Sequence, residues 1–202
     1  METLTFYGKQ INGRHIDRAV EVLSEGGIII YPTDTLYALG CDALNNRAIE
    51  RLCRLKGINP EKQLLSIVCS DISQASDYAR IDNLSFKVLK NNLPGAFTFI
   101  LPGSTRLPKV FKGRKNVGIR VPDNDIAREI ARQLDRPILS TSIEIGNDAE
   151  AVSPDSIAMH YEELADLILD AGDGGIEPST IVDLSDPQSP EIIRQSTAEL
   201  IY

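Results

Sequence analysis

Short continuous runs of apolar residues alternate along this chain with stretches whose apolar residues recur every three or four positions. The run from Ile28 to Tyr31 is unbroken and rich in β-branched residues, which predicts a strand buried on both faces. Helical spacing first appears at residues 16–23, and Gly26 and Gly27 would end that helix. Further helices are predicted at about 46–56, 71–79, 83–91, 126–134 and 153–164, and further strands at about 3–7, 64–69, 97–101, 117–121, 138–143, 167–169, 180–184 and 192–194.

These strands and helices are interspersed along the chain rather than segregated. The pattern therefore predicts an α/β (or α+β) fold with one mixed, twisted sheet and flanking helices. A chain of 202 residues is long enough for one large domain, so residues 1–202 are predicted to form a single unit.

A polar cluster follows the buried strand directly. Pro32 ends the strand because it has no N–H to donate, and Thr33, Asp34, Thr35 and Tyr37 come next. Ligands of open α/β sheets bind in crevices outside strand ends, so these residues are candidates for a binding site. An ordinary surface turn explains the same residues, because Pro, Thr and Asp are common turn formers.

Two cations occupy positions that favour a site. Lys56 lies on the apolar face of its predicted helix but in the last turn, where it either reaches a cleft or complements the helix dipole. Arg120 alternates with Ile119 and Val121 in its predicted strand and shares a face with Gly118. That arrangement suits a ligand-facing guanidinium, or an arginine on a solvated sheet face.

Hydroxyl groups recur near other predicted strands. The segments concerned are Thr98, Ser140–Ser142, and Ser179 with Thr180, and Arg194 follows in the last predicted strand. Such residues are also common in plain turns and strand ends, and Lys62 alone reads as a solvated loop charge.

Composition narrows the function classes. The formal net charge of −8 does not indicate a strongly basic nucleic-acid binder. No apolar run approaches the roughly 20 residues needed to span a bilayer, and the first residues do not read as a secretory signal. The three widely spaced cysteines suggest reduced thiols in a cytoplasmic protein, and with two histidines we expect no metal centre built from several histidines.

A local basic stretch contrasts with the negative net charge of the whole chain. Residues 106–120 carry six Lys and Arg residues and no acid, among them Lys109, Lys112, Arg114 and Lys115. The stretch is either a solvated loop or a patch that binds a phosphate backbone.

Several of these segments resemble motifs of the YrdC/TsaC family. Residues 26–40, GGIIIYPTDTLYALG, resemble its YPTDTxYxLG signature. Shorter segments resemble its K-x-R motif at Lys56, PGPxTxIL at Thr98, VGxRxP at Arg120, STSAN at Ser140–Ser142 and PSTVVD at Ser179 and Thr180. The resemblance runs from about Val20 to Arg194.

The resemblance implies a YrdC-like sheet curved around a central cleft and a nucleotidyltransferase activity. The family joins threonine, bicarbonate and ATP into threonylcarbamoyl-adenylate and pyrophosphate for tRNA modification, with Mg²⁺ carried by the nucleotide. It implies catalytic roles for Lys56, Arg120 and Ser142. It implies nucleotide or substrate contacts for Thr33, Asp34, Thr35, Tyr37, Lys62, Thr98, Ser140, Thr141, Ser179, Thr180 and Arg194.

Two positions depart from the family pattern. Ile58 stands where K-x-R has arginine and cannot make a bidentate phosphate contact, and Glu144 stands where the S-x-N motif has asparagine. Glu144 either points away from a phosphate, or shares a Mg²⁺ with it, or indicates a different ligand pose. In these departures the chain resembles the YciO-type paralogues of the family. Two functions are therefore open: a weakened synthase, or a non-catalytic paralogue that binds nucleotide, double-stranded RNA or tRNA.

Overall fold

The fold is known from a computed structural model, which describes residues 1–7, 11–60, 62–112, 115–146 and 148–202. The strands are β1 (Glu2–Thr5), β2 (Ile29–Tyr31), β3 (Ala38–Asp42), β4 (Ser66–Val68), β5 (Phe97–Pro102), β6 (Asn116–Arg120), β7 (Ile138–Ser142), β8 (Leu167–Asp170), β9 (Thr180–Asp183) and β10 (Glu191–Arg194). The helices are α1 (Gly13–Ser24), α2 (Asn46–Lys56), α3 (Ile72–Tyr78), α4 (Asn83–Asn92), α5 (Lys109–Lys112), α6 (Asp125–Leu134), α7 (Asp148–Val152) and α8 (Pro154–Tyr161).

These strands form one sheet in the order β1-β8-β2-β3-β7-β4-β6-β5-β9-β10. The pairs β1–β8, β2–β8, β4–β6 and β5–β9 are parallel, and the other neighbours run antiparallel. The predicted mixed sheet with flanking helices is therefore confirmed.

Apolar side chains pack on both faces of the sheet. Ile29 and Tyr31 of β2 belong to a cluster shared with α1 and α6, whereas Ile28 and Ile30 belong to a larger cluster that includes residues of α2, α3 and α4. Because successive side chains of a strand point to opposite faces, this division confirms that β2 is covered on both sides.

The ends of α2 explain where Lys56 lies. The Asn45 side chain caps the start of the helix by accepting hydrogen bonds from the backbone N–H groups of Arg47 and Ala48. Gly57 ends the helix with a φ of 63°, a left-handed conformation that favours glycine. Lys56 is thereby fixed as the last helical residue, as the sequence predicted.

Several elements differ from the sequence-based expectation. Strand β3 and the short helices α5 and α7 were not predicted, and α8 ends at Tyr161 rather than near residue 164. The sequence of β3, ALGCD, carries no β-branched residue, so its strand conformation depends on its neighbours β2 and β7. A Cβ on Gly40 would lie 2.6 Å from a methyl carbon of Ile138 and 2.7 Å from the Tyr31 ring, which accounts for the glycine.

Strand β6 is more deeply buried than its alternating pattern indicated. Its residues from Val117 to Arg120 are all buried, including Gly118 and Arg120 on the face that alternation assigned to a ligand or solvent. Polar side chains of neighbouring elements cover this face, as described below. None of the helices in the described ranges combines the length and the apolar character needed to cross a membrane.

Candidate functional site

A cavity of about 160 Å³ opens beside the middle strands of the sheet. Its wall combines apolar residues of α2 and the following segment with hydroxyl groups and two arginines from six strands or their ends. The lining residues are Leu52, Cys53, Ile58, Leu64, Leu65, Ser66, Thr98, Arg120, Leu139, Ser140, Thr141, Ser142, Ser179, Ile181 and Arg194. We call this space the cleft.

Arg120 is held at one edge of the cleft by the segment that follows β2. Its Nη2 atom lies 3.1 Å from Oδ1 of Asp34 and donates a 2.9 Å hydrogen bond to Oγ1 of Thr35. The side chains of Arg120 and Asp34 are only 8% and 9% exposed. Nε of Arg120 is buried and has no hydrogen-bond partner among the described residues. The Nη2 atom of the guanidinium is thus fixed, while the buried donor Nε remains unsatisfied.

Asp34 is itself fixed from two sides. Its Oδ2 atom accepts a 2.9 Å hydrogen bond from the backbone N–H of Asp123, which ties it to the segment after β6. The turn around it is closed by Thr33, whose Oγ1 donates to the carbonyl of Leu36 at 2.7 Å and accepts from the N–H of Thr35 at 3.0 Å. Thr33, Asp34 and Thr35 are not among the lining residues named above, and they contribute to the cleft by positioning Arg120.

Arg194 of β10 supplies the second guanidinium. Its Nε and Nη2 atoms donate to the carbonyl oxygen of Ser179 at 3.0 and 2.8 Å, and the Ser179 hydroxyl lies 2.8 Å from that of Thr98. Arg194 is exposed overall, and partial burial and then repulsion from Arg120 lower the pKa of its guanidinium. No carboxylate pairs with Arg194 in the described part of the chain, so an anion in the cleft would relieve both effects.

Hydroxyl groups of β7 form the opposite wall. The Tyr31 hydroxyl donates a 2.7 Å hydrogen bond to Oγ of Ser140, and burial raises the pKa of Tyr31 to about 12. Thr141 and Ser142 follow along the same strand and also line the cleft. The tyrosine stays a neutral donor at physiological pH, so it orients Ser140.

Gly118 keeps this part of the cleft narrow. A Cβ at that position would lie 2.4 Å from Oγ of Ser66 and 3.2 Å from Cγ2 of Thr98. Ser66 is paired with Gly118 on one side and with Ser140 on the other. Because Gly118 has no side chain, the side chains of Ser66 and Thr98 can both lie close to it.

Lys56 and Glu144 form an ion pair near the cleft. Nζ of Lys56 lies 3.4 Å from Oε2 of Glu144, and the two side chains are 10% and 81% exposed. Lys56 is three positions after Cys53, which lines the cleft, so both lie on the same side of α2. The sequence did not predict this pairing of Glu144 with Lys56.

Besides Thr33, Asp34 and Thr35, three further predicted ligand contacts lie away from the cleft wall. The Tyr37 hydroxyl donates to the carbonyl of Gly172 and accepts from the N–H of Ala171, and its buried ring packs in the core. Thr180 is fully buried, and its hydroxyl donates to the carbonyl of Ala198. Lys62 is exposed in the segment after α2. The positions of Tyr37 and Thr180 favour structural roles.

Sequence reasoning missed two polar groups in the wall. Ser66 begins β4 directly opposite Ser140, and Cys53 contributes a thiol whose pKa is raised by burial. A thiol held protonated in this way is a poor nucleophile. Strand alternation is the sequence signal that separates Ser66 from the core residue Ile67, because it places Ser66 and Val68 on one face of β4 and Ile67 on the other.

The structure describes only part of the basic stretch. Lys109 and Lys112 begin and end α5, Lys115 is exposed, and Arg114 lies outside the described residues. Arg106, at the start of the stretch, forms a 2.7 Å ion pair with Asp77. The RNA patch stays a prediction.

The cleft has the chemistry of an anion site. Guanidinium groups and hydroxyls are donors for phosphate or carboxylate oxygens, and none of the cavity-lining residues named above is acidic. Any divalent cation at this place would therefore be carried in by phosphate oxygens of a ligand rather than by a cluster of protein carboxylates.

Comparisons with known proteins agree on one family. The family model Sua5_yciO_yrdC, described as "Telomere recombination", matches residues 21–196. The chain is 38% identical over 190 residues to the uncharacterized protein YciO of Escherichia coli strain K12, covering 93% of this chain and 91% of the relative. It is 42% identical over 195 residues to an uncharacterized protein of Haemophilus influenzae, covering 93% of both.

Two solved structures extend the comparison. The crystal structure of E. coli YciO superposes with a TM-score of 0.90 at 36% identity, covering 98% of both chains. P. abyssi Sua5 complexed with L-threonine superposes with a TM-score of 0.84 at 27% identity, covering 96% of this chain and 57% of that one.

Proposed function

Because the chain belongs to the Sua5/YciO/YrdC family, we propose that its cleft binds ATP, threonine and bicarbonate and forms threonylcarbamoyl-adenylate. The amine of threonine and bicarbonate would first give a carbamate and water. A carbamate oxygen would then attack the α-phosphorus of ATP, and the bond from that phosphorus to the bridging oxygen would break to release pyrophosphate.

One observation carries this proposal. Arg120 lines the cleft with a buried Nε that has no partner among the described residues, while Asp34 and Thr35 hold its Nη2 atom in place. An unsatisfied buried donor is costly, typically by about 1–3 kcal/mol, and an oxyanion in the cleft would satisfy it. Arg194 adds a positive charge without a carboxylate partner in the described part of the chain.

The reaction needs positioning and charge neutralisation rather than a covalent nucleophile. Arg120 and Arg194 would neutralise negative charge on the transferred phosphoryl group, and the hydroxyls of Ser140 and Ser142 would orient its oxygens. Mg²⁺ carried by the nucleotide would neutralise charge on the leaving pyrophosphate. Threonine is proposed as the amino acid because P. abyssi Sua5, which shares the fold, is complexed with L-threonine.

The test is release of pyrophosphate from ATP and Mg²⁺ by the purified protein. Release should require both threonine and bicarbonate, and the Arg194→Ala variant should lower it by about 100-fold, the typical loss when one transition-state donor is removed. Arg47→Ala is the matched control, since Arg47 is exposed at the start of α2. Nucleotide binding without any release that depends on threonine and bicarbonate would refute the synthase while leaving the anion site intact.

A further inference from the structure

The ion pair between Lys56 and Glu144 changes the charge that the cleft offers to a ligand. Asp34 balances Arg120, and Glu144 balances Lys56, so of the charged groups described at the cleft and its edge only Arg194 remains without an opposite charge. The described site therefore presents one net positive charge. That charge matches one ionised phosphate better than it matches the several charges of a triphosphate.

Glu144 holds a cation that a longer phosphate chain would otherwise reach. Lys56 lies on the side of α2 that contributes Leu52 and Cys53 to the cleft wall, next to Ile58. Its side chain is only 10% exposed, so its ammonium group depends on a nearby anion for compensation. In this structure that anion is the carboxylate of Glu144.

The geometry makes Glu144 a competitor that can be displaced. Its side chain is 81% exposed and its Oε2 atom lies 3.4 Å from Nζ of Lys56, a long contact between a solvent-exposed group and a largely buried one. A phosphate that binds Lys56 must first replace this carboxylate and must then tolerate its charge nearby.

We propose that Glu144 is a specificity-determining residue which makes the cleft prefer adenylates with a single phosphate over ATP. The inference rests on the proposed nucleotide site but not on its turnover. It implies that ATP binds weakly and that an adenylate, once formed, is held more tightly than the triphosphate from which it came.

The test is the affinity of AMP and of ATP for the wild-type protein and for Glu144→Gln, by isothermal titration calorimetry with and without Mg²⁺. Wild type should bind AMP at least as tightly as ATP. Glu144→Gln should tighten ATP by roughly tenfold and AMP by less than about twofold, because only the longer phosphate chain reaches Lys56. The gain for ATP should shrink as salt is raised, since Glu144 is exposed.

Two controls separate competition for Lys56 from a general change of charge. Glu25→Gln alters the net charge equally at an exposed position at the end of α1 and should leave the ratio of the two affinities unchanged. In a Lys56→Gln background, Glu144→Gln should no longer tighten ATP.

An equal gain for AMP and ATP, no gain for either, or a gain that persists without Lys56 would overturn the role of Glu144. If the proteins bind neither nucleotide, the proposed function and this inference both fail. If the affinities shift as expected but pyrophosphate is never released, only the proposed reaction fails.

Discussion

Replacing Asp34 by Asn isolates the buried charge pair that positions Arg120. The variant keeps the size of the side chain and an oxygen to accept from the N–H of Asp123, but it removes the charge 3.1 Å from Nη2 of Arg120. Both side chains are more than nine-tenths buried, so the remaining guanidinium would be left without compensation. Removing one partner of such a pair typically costs about 3–5 kcal/mol.

This loss is large against the total stability of a domain, which is usually about 5–15 kcal/mol. For a chain of this size it corresponds to a fall in Tm of roughly 10 °C. We expect to measure it as a shift in the midpoint of urea unfolding with an unchanged slope, which indicates a change in stability rather than in the denatured state.

The matched control is Asp125→Asn. Asp125 pairs with Arg128 at 2.6 Å one turn along α6, but its side chain is 70% exposed, so the loss should stay below about 1 kcal/mol. If Asp34→Asn costs no more than this control, Arg120 does not depend on Asp34 for compensation. The positioning role assigned to the segment after β2 would then be wrong.

Three further outcomes follow from the same structure. Gly118→Ala should destabilise the protein by about 1–3 kcal/mol in thermal unfolding, because its Cβ would lie 2.4 Å from Oγ of Ser66. The control Gly13→Ala, with open space around the new Cβ, should be neutral or slightly stabilising. Equal effects of the two substitutions would contradict the close packing at Gly118. Burial raises the pKa of Tyr31 from 10.0 to about 12, so the folded state favours the neutral form of this side chain. The contribution of the neutral Tyr31 side chain to stability should be complete below pH 10 and should be lost between pH 10 and 12. Across that range the stability of wild type should fall by up to about 3 kcal/mol more than that of Tyr31→Phe, because Tyr37, whose pKa burial also raises to about 12, contributes equally in both proteins. If the basic stretch binds double-stranded RNA, Lys115→Glu should weaken that binding in a salt-dependent way and leave the affinity for nucleotide unchanged. Both affinities can be measured by fluorescence anisotropy, and an unchanged affinity for RNA would argue against the patch.

The sequence predicted most of the sheet and the general place of the cleft because both depend on local patterns. The unbroken run of β2 and the polar residues that follow it locate one edge of the site. The glycine after Lys56 locates the end of α2. Strand β3 was missed because Ala38–Asp42 has little intrinsic strand preference and is held by pairing with β2 and β7.

The direction of individual side chains was harder to predict than the elements. Ser179 and Thr180 were both expected to contact a ligand, yet Ser179 precedes β9 and Thr180 is its first residue, and the two side chains have different surroundings. Ser179 lines the cleft and Thr180 is buried against the segment that contains Ala198. The pairing of Lys56 with Glu144 joins residues that are far apart in the chain, so no local pattern contains it.

The order of strands in the sheet also has a consequence for synthesis of the chain. Strand β8 lies between β1 and β2, and Glu2 is paired with Leu167. Strand β1 therefore lacks its partner until residues 167–170 have been synthesised, whereas β2 lacks only one of its two neighbours over the same period, because β3 follows it directly. Arg194 of β10 lines the cleft, so a nascent chain acquires its complete ligand site only after β10 has been synthesised. We accordingly expect slow folding, which a ligand of the cleft cannot assist until β10 has been synthesised.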